Sequence, residues 1–126
     1  MIRGIGIDMV DIEELASLVK ENSAFFDKTF TLAEKKMYEK HPLPLEYLAT
    51  RFAAKEAVYK ALAQLLKDKD FDFRGVETLN RLDGSPYVNE TDFLKGIMQE
   101  ADVSQLYISI TTEGNYACAY VIAEKC

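Results

Sequence analysis

The chain has 126 residues, which is enough for one domain with a buried core, and its 48% hydrophobic and 29% charged residues are ordinary for a globular protein. The net charge of −6 argues against nonspecific nucleic-acid binding, and four acidic residues between positions 8 and 14 interrupt any signal peptide. With no apolar run of membrane-spanning length, and with one histidine and two cysteines that fit no zinc-ligand spacing, we expect a single cytoplasmic domain over residues 1–126 that binds no membrane and no nucleic acid.

The first predicted element is a strand over residues 2–8, within the stretch RGIGIDMVDI. Alternation of side chains along a strand places Gly4, Gly6 and Asp8 on one face. A glycine inside a strand often marks a place where a ligand or another backbone comes close. Asp8 is then either a functional carboxylate or the residue that ends the strand and caps the next helix, and this stretch alone does not separate the two.

Three helices follow in the prediction. The first covers residues 11–21, with apolar residues on one face. The second begins at a capping box formed by Thr31 and Glu34 and runs to about residue 40, where HPLP ends it. The third is a long helix from about residue 45 to residue 66.

The second half of the chain is predicted to contain two hairpins and a short helix. The first hairpin turns at DGS, within residues 71–88, and the second turns at residues 113–115. Between them, Thr91 is the predicted N-cap of the helix. The order of one strand, several helices and then mostly strands indicates an α+β fold.

The long helix has no properly polar face, because an alanine-rich side lies opposite a broad apolar stripe. A helix of this kind is normally buried, so we expect the sheet or a neighbouring subunit to cover the alanine side. Charged residues nevertheless occupy its middle. Arg51 and Lys55 are four residues apart, a like-charge spacing that costs an isolated helix about 0.2–0.5 kcal/mol and that a bound anion would relieve.

Glu56 and Lys60 are also four residues apart and could simply form an internal ion pair. That pairing leaves Arg51 and Lys55 without a partner on the helix. Two cations beside a carboxylate are more typical of a phosphate and metal site. Mg²⁺ prefers carboxylate oxygens and keeps waters and substrate phosphates as its other ligands. Asp8 and Glu56 are therefore the candidate carboxylates of a shared Mg²⁺ site.

Two motifs, GIGIDMVDI near the start and RFAAKEAVYKAL at 51–62, resemble the holo-acyl-carrier-protein synthase family of small phosphopantetheinyl transferases. The segments FTLAE at 30–34, DGSPY at 83–87 and ISITTEGNYACAYVIAE at 108–124 are also similar to family segments. The likeness thus covers nearly the whole chain. No dinucleotide-binding fingerprint competes with it, because GIG lacks the third glycine and the spacing that should follow.

The resemblance implies a 4′-phosphopantetheinyl transferase-like α+β fold, with an antiparallel sheet packed on a long helix. It also implies a homotrimer that binds coenzyme A between neighbouring subunits. The implied reaction transfers 4′-phosphopantetheine from coenzyme A to a serine of an apo acyl-carrier protein and releases 3′,5′-ADP.

Carried over by position, the resemblance makes Asp8 and Glu56 the ligands of Mg²⁺ against the pyrophosphate of coenzyme A. Lys60 would lie beside that pyrophosphate, and these three residues are the expected catalytic set. The expected coenzyme-binding residues are Arg51, Lys55, Lys60, Ser109, Thr111 and Thr112. A carboxylate or a metal-polarised water would take the serine proton. In this interpretation, the glycines before Asp8 leave room for metal and pyrophosphate.

The sequence departs from the family at three places that bear on the expected coenzyme site. The last sheet segment usually reads Ser-x-Ser/Thr-His, but Thr112 stands at the histidine position, and His41 is too far along the chain to be an obvious substitute. The glycine-rich turn expected after KAL is replaced by AQLLKDKD, and Ser85 stands where a lysine is common. These departures bear on coenzyme affinity or rate.

A further departure concerns the first helix, where the family usually carries arginines that meet the acidic carrier protein. This chain has Glu13, Glu14 and Glu21 there, with Lys20 as the only base. The departure bears on the choice of partner.

Two other functions remain open at this point. One is a noncatalytic oligomeric binding module on the same scaffold. The other is a plain structural domain, in which Asp8 caps a helix and Glu56 pairs with Lys60. We favour the enzyme, because both carboxylates and Lys60 are present.

Overall fold

The structure, a computed structural model, describes residues 1–68 and 70–126. In chain order its elements are β1 (Ile2–Asp11), α1 (Ile12–Glu21), α2 (Ser23–Thr29), α3 (Leu32–Lys40), α4 (Pro44–Ala63), a 3₁₀ turn (Phe73–Gly75), β2 (Glu77–Asn80), β3 (Pro86–Asn89), α5 (Asp92–Ala101), β4 (Gln105–Glu113) and β5 (Tyr116–Glu124). The strands β1, β5 and β4 form an antiparallel sheet in that order, and β2 pairs with β3 as a separate hairpin. The predicted α+β fold is confirmed.

Helix α4 packs its small residues directly against one face of the sheet. Five of its alanines have no exposed surface: Ala49, Ala53, Ala54, Ala57 and Ala61. A Cβ atom added to Gly6 would lie 2.0 Å from the carbonyl oxygen of Ala57, and one added to Gly4 would lie 2.1 Å from that of Ala61. The two glycines therefore allow the backbones of β1 and α4 to meet, as glycine in a strand often does. The prediction that they leave room for metal and pyrophosphate is wrong.

Strand β1 is longer than predicted and carries Asp8 in its interior. Asp8 pairs with Ala119 of β5, and the strand continues to Asp11. Asp11, not Asp8, caps α1, because its side chain accepts a hydrogen bond from the backbone N–H of Glu14 at 3.0 Å. The interpretation of Asp8 as a strand end and helix cap is therefore wrong.

The helix ends follow local sequence rules with two differences from prediction. Helix α2 was not predicted, since its seven residues are too few to show a period; Asn22 caps it by accepting from the N–H of Phe25 at 3.0 Å. Helix α4 begins with Pro44 at its first turn, as proline favours, and ends at Ala63 instead of residue 66. The capping box of α3 and the Thr91 cap of α5 are both confirmed.

The sheet face that points away from α4 is apolar and exposed. On β1, Ile5, Ile7 and Met9 are 54%, 57% and 65% exposed, and Tyr107 and Tyr120 lie beside them on β4 and β5. We call this surface the outer face. In the part of the chain that the structure describes, no helix is long and apolar enough to cross a membrane.

Candidate active site

The predicted metal ligands meet in a cleft of about 400 Å³ between β1, α1 and α4. Asp8 projects from β1, and Glu56 and Lys60 project from α4, while Glu14 and Leu18 of α1 line the opposite wall. We call this the carboxylate cleft. The structure thus brings together the three residues that the sequence predicts to be catalytic.

Asp8, Glu56 and Lys60 form one charged group in the carboxylate cleft, whose lining also contains the carboxylates of Asp11 and Glu14. Lys60 Nζ lies 3.0 Å from Asp8 Oδ1 and donates to the carbonyl oxygen of Ile7 at 3.1 Å. Burial, and next the negative charge of Asp8, raise the pKa of Glu56 above its ordinary value, and Lys60 offsets part of this. Among the described residues Glu56 forms no ion pair, so the predicted internal Glu56–Lys60 pair is not formed.

Asp8 and Glu56 are the residues that could hold a metal ion here. Among the described residues there is no group of three or more His, Cys, Asp or Glu side chains placed to bind one. Mg²⁺ does not require such a group, because it usually takes one or two protein carboxylates and completes its shell with waters and substrate phosphates. Burial and the charge of Asp8 raise the pKa of Glu56 despite the nearby ammonium of Lys60, and a metal cation bound beside the carboxylate would offset this, which fits such a site.

A second cavity, of about 340 Å³, lies near the β4 edge of the sheet and contains part of the predicted coenzyme-binding set. We call it the arginine cavity. Arg51, Thr111 and Thr112 line it, together with residues of the α3–α4 turn, the start of α4 and the β2–β3 hairpin. Glu46 supplies a carboxylate to the same wall.

Arg51 is held in a fixed position at the arginine cavity. Its guanidinium donates to the carbonyl oxygen of Thr78 at 3.2 Å and to Asn80 Oδ1 at 2.9 Å, and it lies 5.0 Å from the centre of the Tyr47 ring. The residue is 8% exposed, and burial lowers the pKa of Arg51. Its Nε is buried and has no partner among the described residues. The guanidinium is therefore a rigid cation in the lining of the cavity, and its buried Nε is not exposed to a ligand there.

His41 also lines the arginine cavity, together with Thr112. Its ring stacks on Tyr47 with the centroids 5.2 Å apart, and its Nδ1 accepts a hydrogen bond from the N–H of Leu43 at 2.9 Å. Separation along the chain had argued against His41 as a substitute for the histidine that Thr112 replaces. The fold places both residues on one cavity, so that argument fails.

Lys55 does not reach either cavity. Its side chain is 1% exposed, and its ammonium lies 2.9 Å from Glu34 and donates to the carbonyl oxygens of Phe73 at 2.8 Å and Val76 at 2.5 Å. These acceptors occupy all three of its N–H donors. The prediction that Lys55 contacts coenzyme phosphates is wrong. The like-charge repulsion between Lys55 and Arg51 is relieved by separate protein partners and not by an anion.

Apart from Lys55 and Ser109, the predicted site residues fall into two groups on one chain. Arg51 and Glu56 are five residues apart, so they point about 140° apart around α4. The carboxylate cleft lies at the β1 edge of the sheet, and the arginine cavity lies at the β4 edge. Ser109 is on the outer face beside Tyr120 and is not among the residues that line the arginine cavity.

The residues of the arginine cavity that sequence reasoning did not assign to the site include His41, Tyr47 and Asn80. Asn80 sits just before the predicted turn, where its amide also donates to the carbonyl oxygen of Gly84 at 2.9 Å. Its place before that turn was the one available sign. Nothing in the sequence indicated that the Tyr47 ring would contact both the imidazole of His41 and the guanidinium of Arg51.

Comparison with known proteins identifies the family. A family model described as the 4′-phosphopantetheinyl transferase superfamily matches residues 4–121. The chain is 34% identical over 123 residues to the holo-[acyl-carrier-protein] synthase of Alkaliphilus oremlandii, covering 98% of this chain and 99% of that protein.

Two solved structures are similar in fold. The holo-[acyl-carrier-protein] synthase of Neisseria meningitidis has a TM-score of 0.87 and 31% identity, covering 99% of this chain and 100% of that one. The ACPS–CoA complex of Chronobacterium ammoniagenes has a TM-score of 0.83 and 26% identity, covering 98% of this chain and 97% of that one. With these relatives matched over almost its full length, the chain belongs to the holo-[acyl-carrier-protein] synthase family of 4′-phosphopantetheinyl transferases.

Proposed function

We propose that the protein transfers 4′-phosphopantetheine from coenzyme A to a serine of an apo acyl-carrier protein, in an Mg²⁺-dependent reaction that releases 3′,5′-ADP. The serine oxygen forms a bond to the phosphorus of the phosphopantetheine group. The bond from that phosphorus to the bridging oxygen of 3′,5′-ADP breaks, and the serine gives up its proton to a base. We include in the proposal a single domain over residues 1–126 and a cytoplasmic location.

The observation that carries this proposal is that Asp8 and Glu56 lie in one cleft beside Lys60. Two carboxylates in one cleft, one of them with a raised pKa, favour binding of a cation between them. Mg²⁺ would supply charge that neutralises the pyrophosphate. Lys60 is half exposed, at 49%, so its ammonium is free to move from Asp8 to an oxygen of the leaving group.

The arrangement of the two cavities supports binding of coenzyme A between subunits. One chain carries the carboxylate cleft at one edge of the sheet and the arginine cavity at the other edge. A second copy that brings its arginine cavity to the first chain's carboxylate cleft would complete the site. The exposed apolar outer face offers a surface for such an assembly, and we propose a homotrimer. Sedimentation of a stable monomer at micromolar concentration would count against it.

Helix α1 is the proposed docking surface for the carrier protein, because it forms one wall of the carboxylate cleft. Glu14 and Leu18 line the cleft, and Glu13 and Glu21 are also exposed on α1. A carrier whose serine enters the cleft must pass this helix. Because like charges at an interface cost energy, these acidic residues predict weak activity on an acidic carrier protein.

The test is a mass measurement on intact carrier proteins after incubation with the enzyme, coenzyme A and Mg²⁺. We expect the mass of a suitable apo-carrier to rise by one phosphopantetheine group. Asp8→Asn and Glu56→Gln should abolish this gain while the protein still folds, and Glu100→Gln, an exposed carboxylate on α5, is the matched control. Near-normal Mg²⁺-dependent transfer by either variant would remove the metal assignment.

The same measurement separates the enzyme from the noncatalytic binding module. A module on this scaffold would bind coenzyme A and leave the mass of every carrier unchanged. Measuring coenzyme A binding by calorimetry in parallel therefore distinguishes a protein that binds without transfer from one that has lost the coenzyme site.

A further inference from the structure

The imidazole of His41 lies in the arginine cavity, and packing alone does not account for its place there. His41 follows the last residue of α3, and its backbone N–H donates to the carbonyl oxygen of Met37 at 2.8 Å. Its ring is held between the turn and the aromatic face of Tyr47. The residue is partly exposed on the cavity wall that it shares with Arg51 and Thr112.

The hydrogen bond at Nδ1 fixes which nitrogen of His41 can donate to a ligand. Nδ1 accepts from the N–H of Leu43 at 2.9 Å, so in the neutral ring the proton lies on Nε2. Among the described residues none accepts a hydrogen bond from Nε2. His41 therefore offers one oriented N–H donor that the protein itself does not use.

Tyr47 holds this donor and the Arg51 cation in one arrangement. The His41 ring lies 5.2 Å from the Tyr47 ring at an angle of 27°, and the guanidinium of Arg51 lies 5.0 Å from the same ring. Arg51 is anchored by Thr78 and Asn80. A cation and a neutral donor on one aromatic support are suited to bind an anionic group such as a phosphate.

We propose that His41 is a coenzyme-binding residue, whose Nε2–H donates a hydrogen bond to the 3′,5′-ADP portion of coenzyme A in the arginine cavity. This inference rests on the proposed function. Thr112 of β4 stands at the family's histidine position but has no imidazole. In this assignment, His41 of the α3–α4 turn supplies the imidazole contact instead. His41 acts here in binding and takes no part in the transfer of the phosphopantetheine group.

Two substitutions separate the binding role of His41 from its role in the turn. His41→Asn keeps an acceptor for the N–H of Leu43, because asparagine commonly accepts from the N–H two residues ahead, and it removes the Nε2 donor. His41→Gln retains an N–H donor near the position of Nε2. Lys40→Ala changes the exposed neighbouring residue and is the matched control.

The measurement is the affinity for 3′,5′-ADP by calorimetry on the natural protein and each variant, with Tm as the folding check. We expect His41→Asn to weaken binding about 10- to 100-fold, the loss typical of a hydrogen bond to a charged acceptor, and His41→Gln to weaken it less. Lys40→Ala should bind normally. In transfer assays, the KM for coenzyme A should rise for His41→Asn while kcat stays unchanged.

Equal affinity of the natural protein and His41→Asn for 3′,5′-ADP would overturn the assignment of His41 and leave the proposed function intact. A fall in kcat at unchanged KM would also overturn it, because a binding residue does not act in that way. Failure of the natural protein to bind 3′,5′-ADP or coenzyme A at all would instead overturn the proposed function.

Discussion

The buried ion pair between Glu34 and Lys55 is predicted to support the stability of the fold and not the binding of coenzyme A. The two side chains are 2% and 1% exposed, so Lys55→Met leaves the carboxylate of Glu34 buried without its cation. Removing one partner of a buried pair costs about 3–5 kcal/mol. An unfolding entropy of about 2.1 cal/mol/K per residue gives about 265 cal/mol/K for 126 residues, so Tm should fall by about 11–19 °C.

A second substitution tests whether the uncompensated charge causes this loss. Glu34 also accepts from the backbone N–H of Thr31 at 2.8 Å in the capping box of α3, and glutamine can serve the same position. The double variant Glu34→Gln/Lys55→Met removes both charges and keeps the cap. The carbonyl oxygens that Lys55 binds lose their donor in both variants, so the comparison isolates the buried charge. We expect the double variant to regain more than half of the lost Tm.

Thermal unfolding followed by circular dichroism measures the change in stability, and calorimetry with coenzyme A at a temperature where each variant is folded measures binding. Lys35→Met is the control, because the Lys35–Asp27 pair is exposed and such pairs contribute about 0–1 kcal/mol. Affinity for coenzyme A should stay normal in all of these variants. Lost affinity at an unchanged Tm for Lys55→Met would place Lys55 on the coenzyme and refute the reasoning.

Three further predictions concern the carboxylate cleft and its surroundings. Gly6→Ala places a Cβ 2.0 Å from the Ala57 carbonyl oxygen and forces α4 away from β1, so we expect a loss of about 1–3 kcal/mol in urea unfolding and slower transfer; normal stability would contradict the close contact. Without Mg²⁺, Glu56→Gln should raise Tm at pH 8 but not at pH 4. Because the pKa of Glu56 is raised from 4.5, the native state holds more protons than the unfolded state above that pH. The stability of the natural protein therefore falls as pH rises through the raised pKa. An equal gain in Tm at both pH values would contradict this. Glu14→Arg should speed transfer to an acidic carrier mainly through faster association, and salt should speed the natural protein by screening, with a Debye length of about 10 Å at 0.1 M; if salt slows both equally and the substitution does nothing, α1 is not the docking surface.

Local signals in the sequence predicted much of the fold. A capping residue and its partner lie within one helical turn, so Thr31 and Thr91 could be assigned as caps without knowledge of any distant contact. The hairpin turns were predicted for the same reason, with Gly84 and Gly114 at the positive φ angles that such turns use. The carboxylate cleft followed from the resemblance, which aligned Asp8 with Glu56 across almost fifty residues.

The errors concern contacts that depend on what folds over a residue from elsewhere in the chain. Lys55 has no partner on its own helix, and its three acceptors come from α3 and from the segment before β2. The role of Gly6 depends on α4 crossing β1 at that point. The place of His41 depends on the start of α4 folding back beside β4. Spacing along one element carries no information about such neighbours.

The charged positions of α4 show how one helix can serve stability and chemistry together. Arg51 and Lys55 lie on adjacent turns, yet the first faces the arginine cavity and the second is buried with Glu34 beneath the segment that leads into β2. That buried pair holds α3 and this segment against α4, and the same segment continues to Asn80, which anchors Arg51. Glu56 lies one residue beyond Lys55 and points towards β1, where the glycine contact sets its distance from Asp8. The charges on a helix without a polar face are therefore divided between a buried pair that stabilises the fold and side chains that face the two cavities.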